Sequence, residues 1–414
     1  MNRSELAAIL TQWLYYASPR LEPTTFAHLT PEAWSQWLIL AWEQRVAPLL
    51  YARMRAEGWE HLLPEDVVQF LRTSYRENAI RNLRYYLIFR TVTTALHKRG
   101  IPIIALKGIY LAEAVYRDIA LRRMGDIDIL VPRAKMAEAG EVVEALGFRP
   151  WKPYNARADI LVDRHLTRMI QADGLALEIH WNLTSPGSPR FVEADTWWSR
   201  ATSVYLGGVN ALTLSVEDTL LHLCLHAAYQ HHFTSGLRPL CDIAWLIERF
   251  ETTLDWDTVA NRAQQWGWER GVYLTLRLTQ KMLGATIPTS VLKVLQPPSF
   301  PEYLLNDAEM ILFSRQKTTH QLPAAIAKIA DERLSPFARA LYMFKSAFPS
   351  PAVLANIYGI SPNSPRVYAY YLTNWWHAIQ RNKYIVTRIL RHDPELVQIT
   401  EPINRLRRWF EDKN

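Results

Sequence analysis

A single stretch of the chain, residues 100–205, carries the strand-like patterns, and helical periodicity fills the sequence on either side of it. The flanking regions, residues 1–99 and 206–414, have apolar residues at helical spacing. The chain of 414 residues has 15 Gly but 16 Trp, a composition that favours bulky helix packing over a many-turned β-sandwich. We therefore predict an α+β protein, predominantly helical, with a small mixed α/β core between N- and C-terminal helical regions.

The core region begins where a helix ends. Arg99-Gly100 predicts that end, because glycine adopts the left-handed conformation that closes helices. Asp173-Gly174 lies between two alternating runs and predicts a hairpin. The predicted elements follow the order β-α-β-α-β-β, with strands at 101–106, 127–131, 165–171 and 175–181 and helices at 109–117 and 134–146.

Charge and cysteine content restrict the partners and the cellular setting. The 47 Lys and Arg exceed the 40 Asp and Glu by 7, a mild excess that allows an anionic partner without requiring one. The two cysteines, Cys224 and Cys241, do not make a disulfide framework. We find no apolar run of about 18 residues, the length that a transmembrane helix needs. These features predict a cytoplasmic protein with no membrane partner.

Carboxylates mark two of the predicted strands. In RRMGDIDILV, residues 122–131, alternation places Asp126 and Asp128 on one face of the strand. Such a pair is stable in water or around a cation. In the later strand, Glu178 lies among apolar residues and shares its face with His180. If the two strands are neighbours, three carboxylates converge and can hold Mg²⁺, including the two-ion arrangement that serves attack on a nucleotide phosphate.

Lys107-Gly108 follows the first predicted strand and opens a helix. Gly108 allows a close backbone approach, and the start of a helix offers free N–H groups to an anion. Lys107 adds a point charge for a phosphate. We therefore interpret this turn as part of a phosphate-binding site.

These segments together resemble a family of uncharacterised nucleotidyltransferases within the DNA polymerase beta-like superfamily. The resemblance covers nearly the whole chain, and its specific motifs lie in residues 104–247. They are Leu106-Lys107-Gly108, Tyr116, Arg122-x-Met-x-Asp126-Ile-Asp128, Glu178-Ile-His180-Trp181, Glu217-Asp with His222 and His226 downstream, and Asp242-Ile-Ala-Trp.

The resemblance implies a polymerase beta-like fold for the core and a role for each motif residue. Asp126, Asp128 and Glu178 become the metal carboxylates, and Glu178 also helps to deprotonate the acceptor. Arg122 is expected near the triphosphate, and His180 within the same site. Lys107-Gly108 takes the place of the Gly-Ser turn of better-studied relatives, so phosphate handling cannot be copied from those enzymes.

The expected reaction is Mg²⁺-dependent transfer of a nucleoside monophosphate from an NTP, such as ATP, to an acceptor. A small-molecule or peptide acceptor is favoured, because binding tRNA requires several phosphate contacts and a denser basic surface. Two alternatives stay open. One is a toxin-like enzyme that modifies tRNA, and the other is a module that binds nucleotide or RNA without turnover.

Several polar residues have roles that the sequence leaves open. His165 begins a predicted strand, and Asp242 lies within an apolar helix where Arg238 is its i,i+4 neighbour. His222 and His226 have the spacing of two ligands for one metal, but no third ligand matches, so satisfied interface histidines are the favoured interpretation. His231 and His232 are interpreted as solvated.

The C-terminal region is basic and aromatic, which suits RNA, but acidic residues dilute the charge. We favour a solvated helix face for the basic residues and a core position for the aromatic ones. The residues concerned are Arg381, Lys383, Arg388, Arg391, Arg405, Arg407 and Arg408, with Trp375, Trp376, Tyr384 and Trp409.

Two expectations concern variants. Asp128→Asn is expected to leave the melting temperature near or above that of the wild type, because it relieves repulsion between carboxylates. Lys107 is expected to be exposed, so Lys107→Ala should change stability little.

Overall fold

The seven strands in the described part of the chain form one mixed sheet. The computed structural model describes residues 1–14, 24–314, 331, 333–390 and 394–412. The strands are β1 (Ile104–Leu106), β2 (Ile127–Leu130), β3 (Arg149–Pro150), β4 (Met169–Ile170), β5 (Ala176–His180), β6 (Thr202–Leu206) and β7 (Val209–Thr213). Their order is β3-β4-β5-β2-β1-β7-β6. Strand β2 runs parallel to β5, and β1 runs parallel to β7, while the other neighbours are antiparallel.

Along the chain, helices precede the strands, lie between them and follow them. Before and within the sheet they are α1 (Arg3–Leu14), α2 (Thr24–Ala27), α3 (Pro31–Glu43), α4 (Ala47–Glu57), α5 (Glu65–Lys98), α6 (Lys107–Tyr110), α7 (Met136–Ala145), α8 (Ala156–Val162) and α9 (Asp195–Trp198). After it come α10 (Val216–Leu225), α11 (Arg238–Arg249), α12 (Trp256–Gln265), α13 (Glu269–Leu283), α14 (Thr289–Leu295), α15 (Tyr303–Phe313), and four further helices at Pro336–Ala347, Pro351–Tyr358, Arg366–Leu390 and Pro394–Glu411. Helix α6 continues into a π-helical turn, Leu111–Val115, and α10 into another, His226–Gln230.

The predominantly helical α+β architecture predicted from the sequence is therefore confirmed. Asp173-Gly174 connects β4 to β5 as expected, with Gly174 at a φ of +83°. The hairpin of β6 and β7 was not predicted, although the Gly207-Gly208 turn between its strands is a recognisable signal. Because β7 pairs with β1, the sheet ends at Thr213, beyond residue 205.

The central strands are short and apolar because both of their faces are covered. Every residue of β1 and β2 is buried, and β5 is buried except at Glu178. Such continuous burial explains why these strands appear as apolar runs in the sequence. A polar residue within them therefore stands out, and each one in β2 and β5 belongs to the candidate site.

The long helix α5 fixes the loop that leads into β2. Its buried Asn78 donates from Nδ2 to the carbonyl oxygen of Ala120 at 2.6 Å, and Asn82 donates to the carbonyl oxygens of Ile119 and Arg122, the latter at 2.7 Å. These two amides hold the backbone on which Arg122 and Asp126 lie.

Cys224 and Cys241 are both buried free thiols. In the described part of the chain, no helix has the length and apolar character required to cross a membrane.

Candidate active site

Two carboxylates lie side by side where β2 and β5 run parallel. Asp128 is opposite Glu178 in the register, and Leu130 is opposite His180. His180 Nε2 lies 2.9 Å from Asp128 Oδ1 and 3.5 Å from Glu178 Oε2. The strands predicted to be neighbours are therefore neighbours, and alternation brings the three polar side chains to one face of the sheet.

Asp126 lies one step earlier, just before β2, and has a different partner. Its Oδ2 accepts a hydrogen bond from Arg168 Nη2 at 3.0 Å, and Arg168 Nε lies 3.9 Å from Glu178 Oε1. Arg168 precedes β4 and was not singled out in the sequence. Arg168 lies between Asp126 and Glu178 and contacts both. All three predicted carboxylates line one cavity.

Lys107 is largely buried, which corrects the expectation that it is exposed. Its Nζ donates to Asp128 Oδ1 at 2.9 Å, and the two side chains are 12% and 4% exposed. Its backbone has a φ of +43°, the left-handed region that glycine adopts most easily. A Cβ at the next residue, Gly108, would lie 2.7 Å from Arg122 Nη1, so glycine is required there by close approach.

The Lys107 backbone gives a matched pair of variants. Lys107→Ala and Lys107→Gly both remove the cation beside Asp128, and each is expected to lower the free energy of unfolding by about 2 kcal/mol or more. The glycine variant should be the more stable of the two, by about 1 kcal/mol, because only alanine keeps a Cβ in the left-handed region. Chemical denaturation of both variants measures the difference. An alanine variant as stable as the glycine one would contradict the assignment of backbone strain to this residue.

Arg122 forms a buried bidentate ion pair with Asp242. Its Nε and Nη2 each donate to that carboxylate at 2.8 Å, and Tyr116 Oη donates to Asp242 Oδ1 at 2.9 Å. Sequence spacing suggested Arg238 as the partner of Asp242, which is wrong: Arg238 Nη1 instead donates to the carbonyl oxygen of Arg123 at 3.0 Å. Asp242 therefore ties α11 to the loop before β2, which is a structural role.

A cavity of about 440 Å³ opens beside these residues. Its walls include all the predicted site residues except His180, which lies beneath Asp128. Four basic residues of the wall were not predicted as site residues from the sequence: Arg45, Arg164, Arg168 and Arg238. With Lys107 and Arg122 they make six cations facing four carboxylates, so the cavity suits an anionic ligand.

Burial and neighbouring charges set the ionisation of the carboxylates. Burial alone would raise the pKa of Asp128, but the charge of Lys107 and the hydrogen bond from His180 outweigh burial and hold that pKa well below its ordinary value. Burial is likewise outweighed at Glu178, mainly by the hydrogen bond from His180, and its pKa is lowered. At Asp126, burial and repulsion from Asp128 and Glu178 raise the pKa. Asp128 and Glu178 are therefore ionised at neutral pH, as metal ligands must be.

The donor set fits a divalent cation. Ligand atoms of Asp128, Glu178 and His180 all lie within 4.8 Å of one another. The buried His180 Nδ1 has no hydrogen-bond partner among the described residues. Oxygen ligands suit Mg²⁺, and an imidazole nitrogen also suits Mn²⁺ or Zn²⁺. Asp126, two residues before Asp128, lies in the same cavity wall.

The remaining histidines surround this site in different ways. His165 lines the cavity, and its ring lies 5.0 Å from that of His180. His226 also lines the cavity and stacks on His231 at 4.3 Å, so His231 is not simply solvated. His222 is buried, with its ring 6.5 Å from His226. Burial holds the pKa of His222 and of His226 well below the ordinary value, so both rings are neutral.

The C-terminal region differs from the predicted solvated face and aromatic core. Arg405 binds Asp307, and Arg407 and Arg408 both bind Asp331. These arginines are committed to ion pairs within the protein. Trp409 packs against Phe300 as a core residue, whereas Trp375 and Trp376 are about half exposed. The side chains of Arg381, Lys383, Tyr384 and Arg388, and residue Arg391, lie outside the described residues.

Paired carboxylates on adjacent strands face a cavity rich in arginine, an arrangement that suits an anionic ligand together with a divalent ion. The chain belongs to a family of nucleotidyltransferases: the family described as "Uncharacterised nucleotidyltransferase" matches residues 30–284, more than half of the protein. The matched segment contains the whole sheet and every predicted site residue. No curated protein and no solved structure matches the chain.

Proposed function

We propose that the protein transfers a nucleoside monophosphate from an NTP to a small-molecule or peptide acceptor, on a polymerase beta-like core and with one or two Mg²⁺ ions. The observation that carries the proposal is the register of β2 and β5, which sets Asp128 beside Glu178 at the wall of a basic cavity. Membership of a nucleotidyltransferase family supports the reaction class. The volume of about 440 Å³ suits a nucleotide-sized ligand.

Each residue has a distinct task in this reaction. Asp126, Asp128 and Glu178 hold the metal. The ion, when bound, neutralises charge on the α-phosphate and lowers the pKa of a bound hydroxyl. Lys107, Arg122 and the Gly108 turn lie where the triphosphate is bound. Arg122 is held by Asp242, so its contribution is a fixed Nη1 edge toward Gly108.

The transfer forms one bond and breaks one bond. An acceptor oxygen attacks the α-phosphorus of the NTP, and the bond from that phosphorus to the β-bridging oxygen breaks. The bonding electron pair leaves with pyrophosphate. When the acceptor is a hydroxyl, its proton passes to the Glu178 carboxylate, which the hydrogen bond from His180 keeps in the basic form against the effect of burial.

Metal and nucleotide binding give a prediction that does not require the acceptor. Mg²⁺ together with an NTP is expected to stabilise the wild type by about 2.7 kcal/mol at a ligand concentration of about 100 times Kd. Glu178→Gln should lose most of this increment, because it removes one anionic ligand. Glu193→Gln, an exposed residue outside the cavity, is the matched control and should keep it. Differential scanning calorimetry measures the shift. An equal increment in Glu178→Gln would remove Glu178 from the metal site.

The acceptor can be found by following the label. Wild-type protein is incubated with each α-³²P-labelled NTP, Mg²⁺ and a cell lysate, and label is tracked separately in protein, RNA and small molecules. We expect Mg²⁺-dependent label in a small molecule or a protein. Label that accumulates in tRNA would instead support the toxin-like alternative, and absence of transfer to any fraction would support a binding module.

A further inference from the structure

A second depression adjoins the candidate active site and shares one residue with it. This groove, of about 340 Å³, lies between the end of α3 and the middle of α5. Its wall includes Trp42 and four arginines with one carboxylate, that of Glu77; the arginines are Arg45, Arg81, Arg84 and Arg123, and Arg45 also lines the active-site cavity. The groove and the cavity therefore meet at Arg45.

Three arginines of the groove lack carboxylate partners. In residues 1–14, 24–314, 331, 333–390 and 394–412, no carboxylate oxygen lies within 4.0 Å of the guanidinium nitrogens of Arg45, Arg81 or Arg123. Arg84, by contrast, binds Asp173 at 2.5 Å. Burial lowers the pKa of Arg123 and the charges of Arg45 and Arg81 lower it further, while the charge of Glu77 opposes them without cancelling the shift. Adjacent cations that repel one another are stabilised by a shared anion.

The position of Arg45 is built into the fold. Its backbone has a φ of +61°, which is strained for a residue with a side chain. The preceding residue, Gln44, is fully buried and anchors the chain: its Nε2 donates to the carbonyl oxygen of Leu312 at 3.0 Å, and its Oε1 accepts from the N–H of Leu237 at 2.6 Å. This anchored turn directs Arg45 to the boundary between the groove and the cavity.

The groove also presents an apolar surface beside its cations. Trp42 is 55% exposed, and the guanidinium carbon of Arg123 lies 5.5 Å from its ring centroid. Ile80, on α5, is 63% exposed in the same wall. An exposed indole beside arginines suits a ligand that combines an anionic group with a ring.

We propose that this groove binds the acceptor, and that the acceptor is a small molecule with a phosphate monoester joined to a ring. The assignment rests on the proposed function, which requires an acceptor site beside the NTP cavity. A phosphate offers several oxygens to converging guanidinium groups, which bind it through paired hydrogen bonds. Trp42 supplies the surface for the ring. The groove volume admits a small molecule rather than a folded partner.

The test measures binding, so it does not depend on turnover. Wild-type protein is saturated with Mg²⁺ and α,β-methylene-ATP, which occupies the cavity without transfer. Phenyl phosphate and glycerol phosphate are then titrated by calorimetry. We expect Arg81→Ala and Arg123→Ala each to weaken phenyl phosphate by about tenfold or more, with α,β-methylene-ATP affinity retained. Trp42→Ala should remove the preference for phenyl phosphate over glycerol phosphate.

The controls separate the proposal from its alternatives. Arg76→Ala, an exposed arginine of α5 outside the groove, should bind both monoesters like the wild type. Arg123→Lys, which keeps the charge, should show an intermediate loss if Arg123→Ala folds poorly. Equal loss of α,β-methylene-ATP affinity would assign the arginines to the NTP. Unchanged phenyl phosphate binding in both alanine variants would contradict the proposal that the groove binds a phosphate monoester. An oligoribonucleotide that binds there far more tightly than either monoester would also contradict it.

The groove and the proposed reaction can fail separately. Monoester binding that depends on Arg81 and Arg123, without transfer from any labelled NTP, would retain the anion site and reject the nucleotidyl transfer. Transfer that proceeds equally well in Arg81→Ala and Arg123→Ala would retain the reaction and reject the groove as its acceptor site.

Discussion

Asp128→Asn is expected to reduce nucleotidyl transfer by roughly 1,000-fold, because several kcal/mol of transition-state stabilisation depends on the metal and each 1.36 kcal/mol is tenfold in rate. The amide keeps the shape of the side chain but is a poor ligand for a divalent ion. The substitution also removes the only charge within hydrogen-bond distance of Lys107 Nζ among the described residues. Initial rates at saturating NTP and Mg²⁺ measure the loss.

The same variant should be less stable than the wild type, not equally or more stable as carboxylate repulsion alone suggested. Asp128 is 3% exposed and accepts hydrogen bonds from Lys107 and His180, so its ionised form is stabilised by the fold. We expect a loss of about 2 kcal/mol in the free energy of unfolding. Rates are therefore compared at a temperature where circular dichroism shows a folded variant. Asp257→Asn, at an exposed residue of α12, is the control and should match the wild type in both measurements. Full activity in Asp128→Asn would exclude Asp128 as a metal ligand.

Breaking the ion pair between Arg122 and Asp242 should cost about 3–5 kcal/mol of stability, the largest stability change we predict. Both side chains are at most 5% exposed, and the pair joins α11 to the loop before β2. Arg122→Met leaves Asp242 buried with only the hydrogen bond from Tyr116, and Asp242→Leu leaves Arg122 without a counter-charge. Urea denaturation of each variant measures the loss.

The double variant Arg122→Met with Asp242→Leu is the matched control. Because neither charge is then left alone, it should recover a substantial part of the stability lost in each single variant. It should not recover NTP affinity, since the cation facing Gly108 is gone. Single variants whose losses simply add in the double variant would show that the two residues do not act as a pair.

Most of the candidate site was predicted from the alternation of polar and apolar residues within single strands. Glu178 was visible because it is the one acidic residue in an apolar run, and Asp126 and Asp128 because they begin another. The convergence of these carboxylates required only that the two strands be neighbours. In the structure they pair in parallel, and their register places Asp128 beside Glu178. Short-range patterns are reliable here because buried central strands tolerate few polar residues.

Contacts between distant segments could not be predicted in this way. Arg45 comes from the turn after α3, Arg168 from the residue before β4, and Arg238 from the start of α11. Each lies in an ordinary local sequence, and only the folded chain brings them to one cavity. The partner of Asp242 could not be predicted either. Its i,i+4 neighbour on the same helix is Arg238, whereas the residue that binds it is Arg122, 120 residues earlier in the chain.

Comparison of α- and γ-labelled NTP tests the central claim most directly. The wild type is incubated with Mg²⁺, the lysate fraction that contains the acceptor, and the NTP labelled with ³²P at either the α or the γ position. Nucleotidyl transfer predicts that the α label moves to the acceptor while the γ label is released in pyrophosphate, and that Asp128→Asn abolishes both. Transfer of the γ label to the acceptor, with the α label retained in a nucleoside diphosphate, would show phosphoryl transfer and contradict the account.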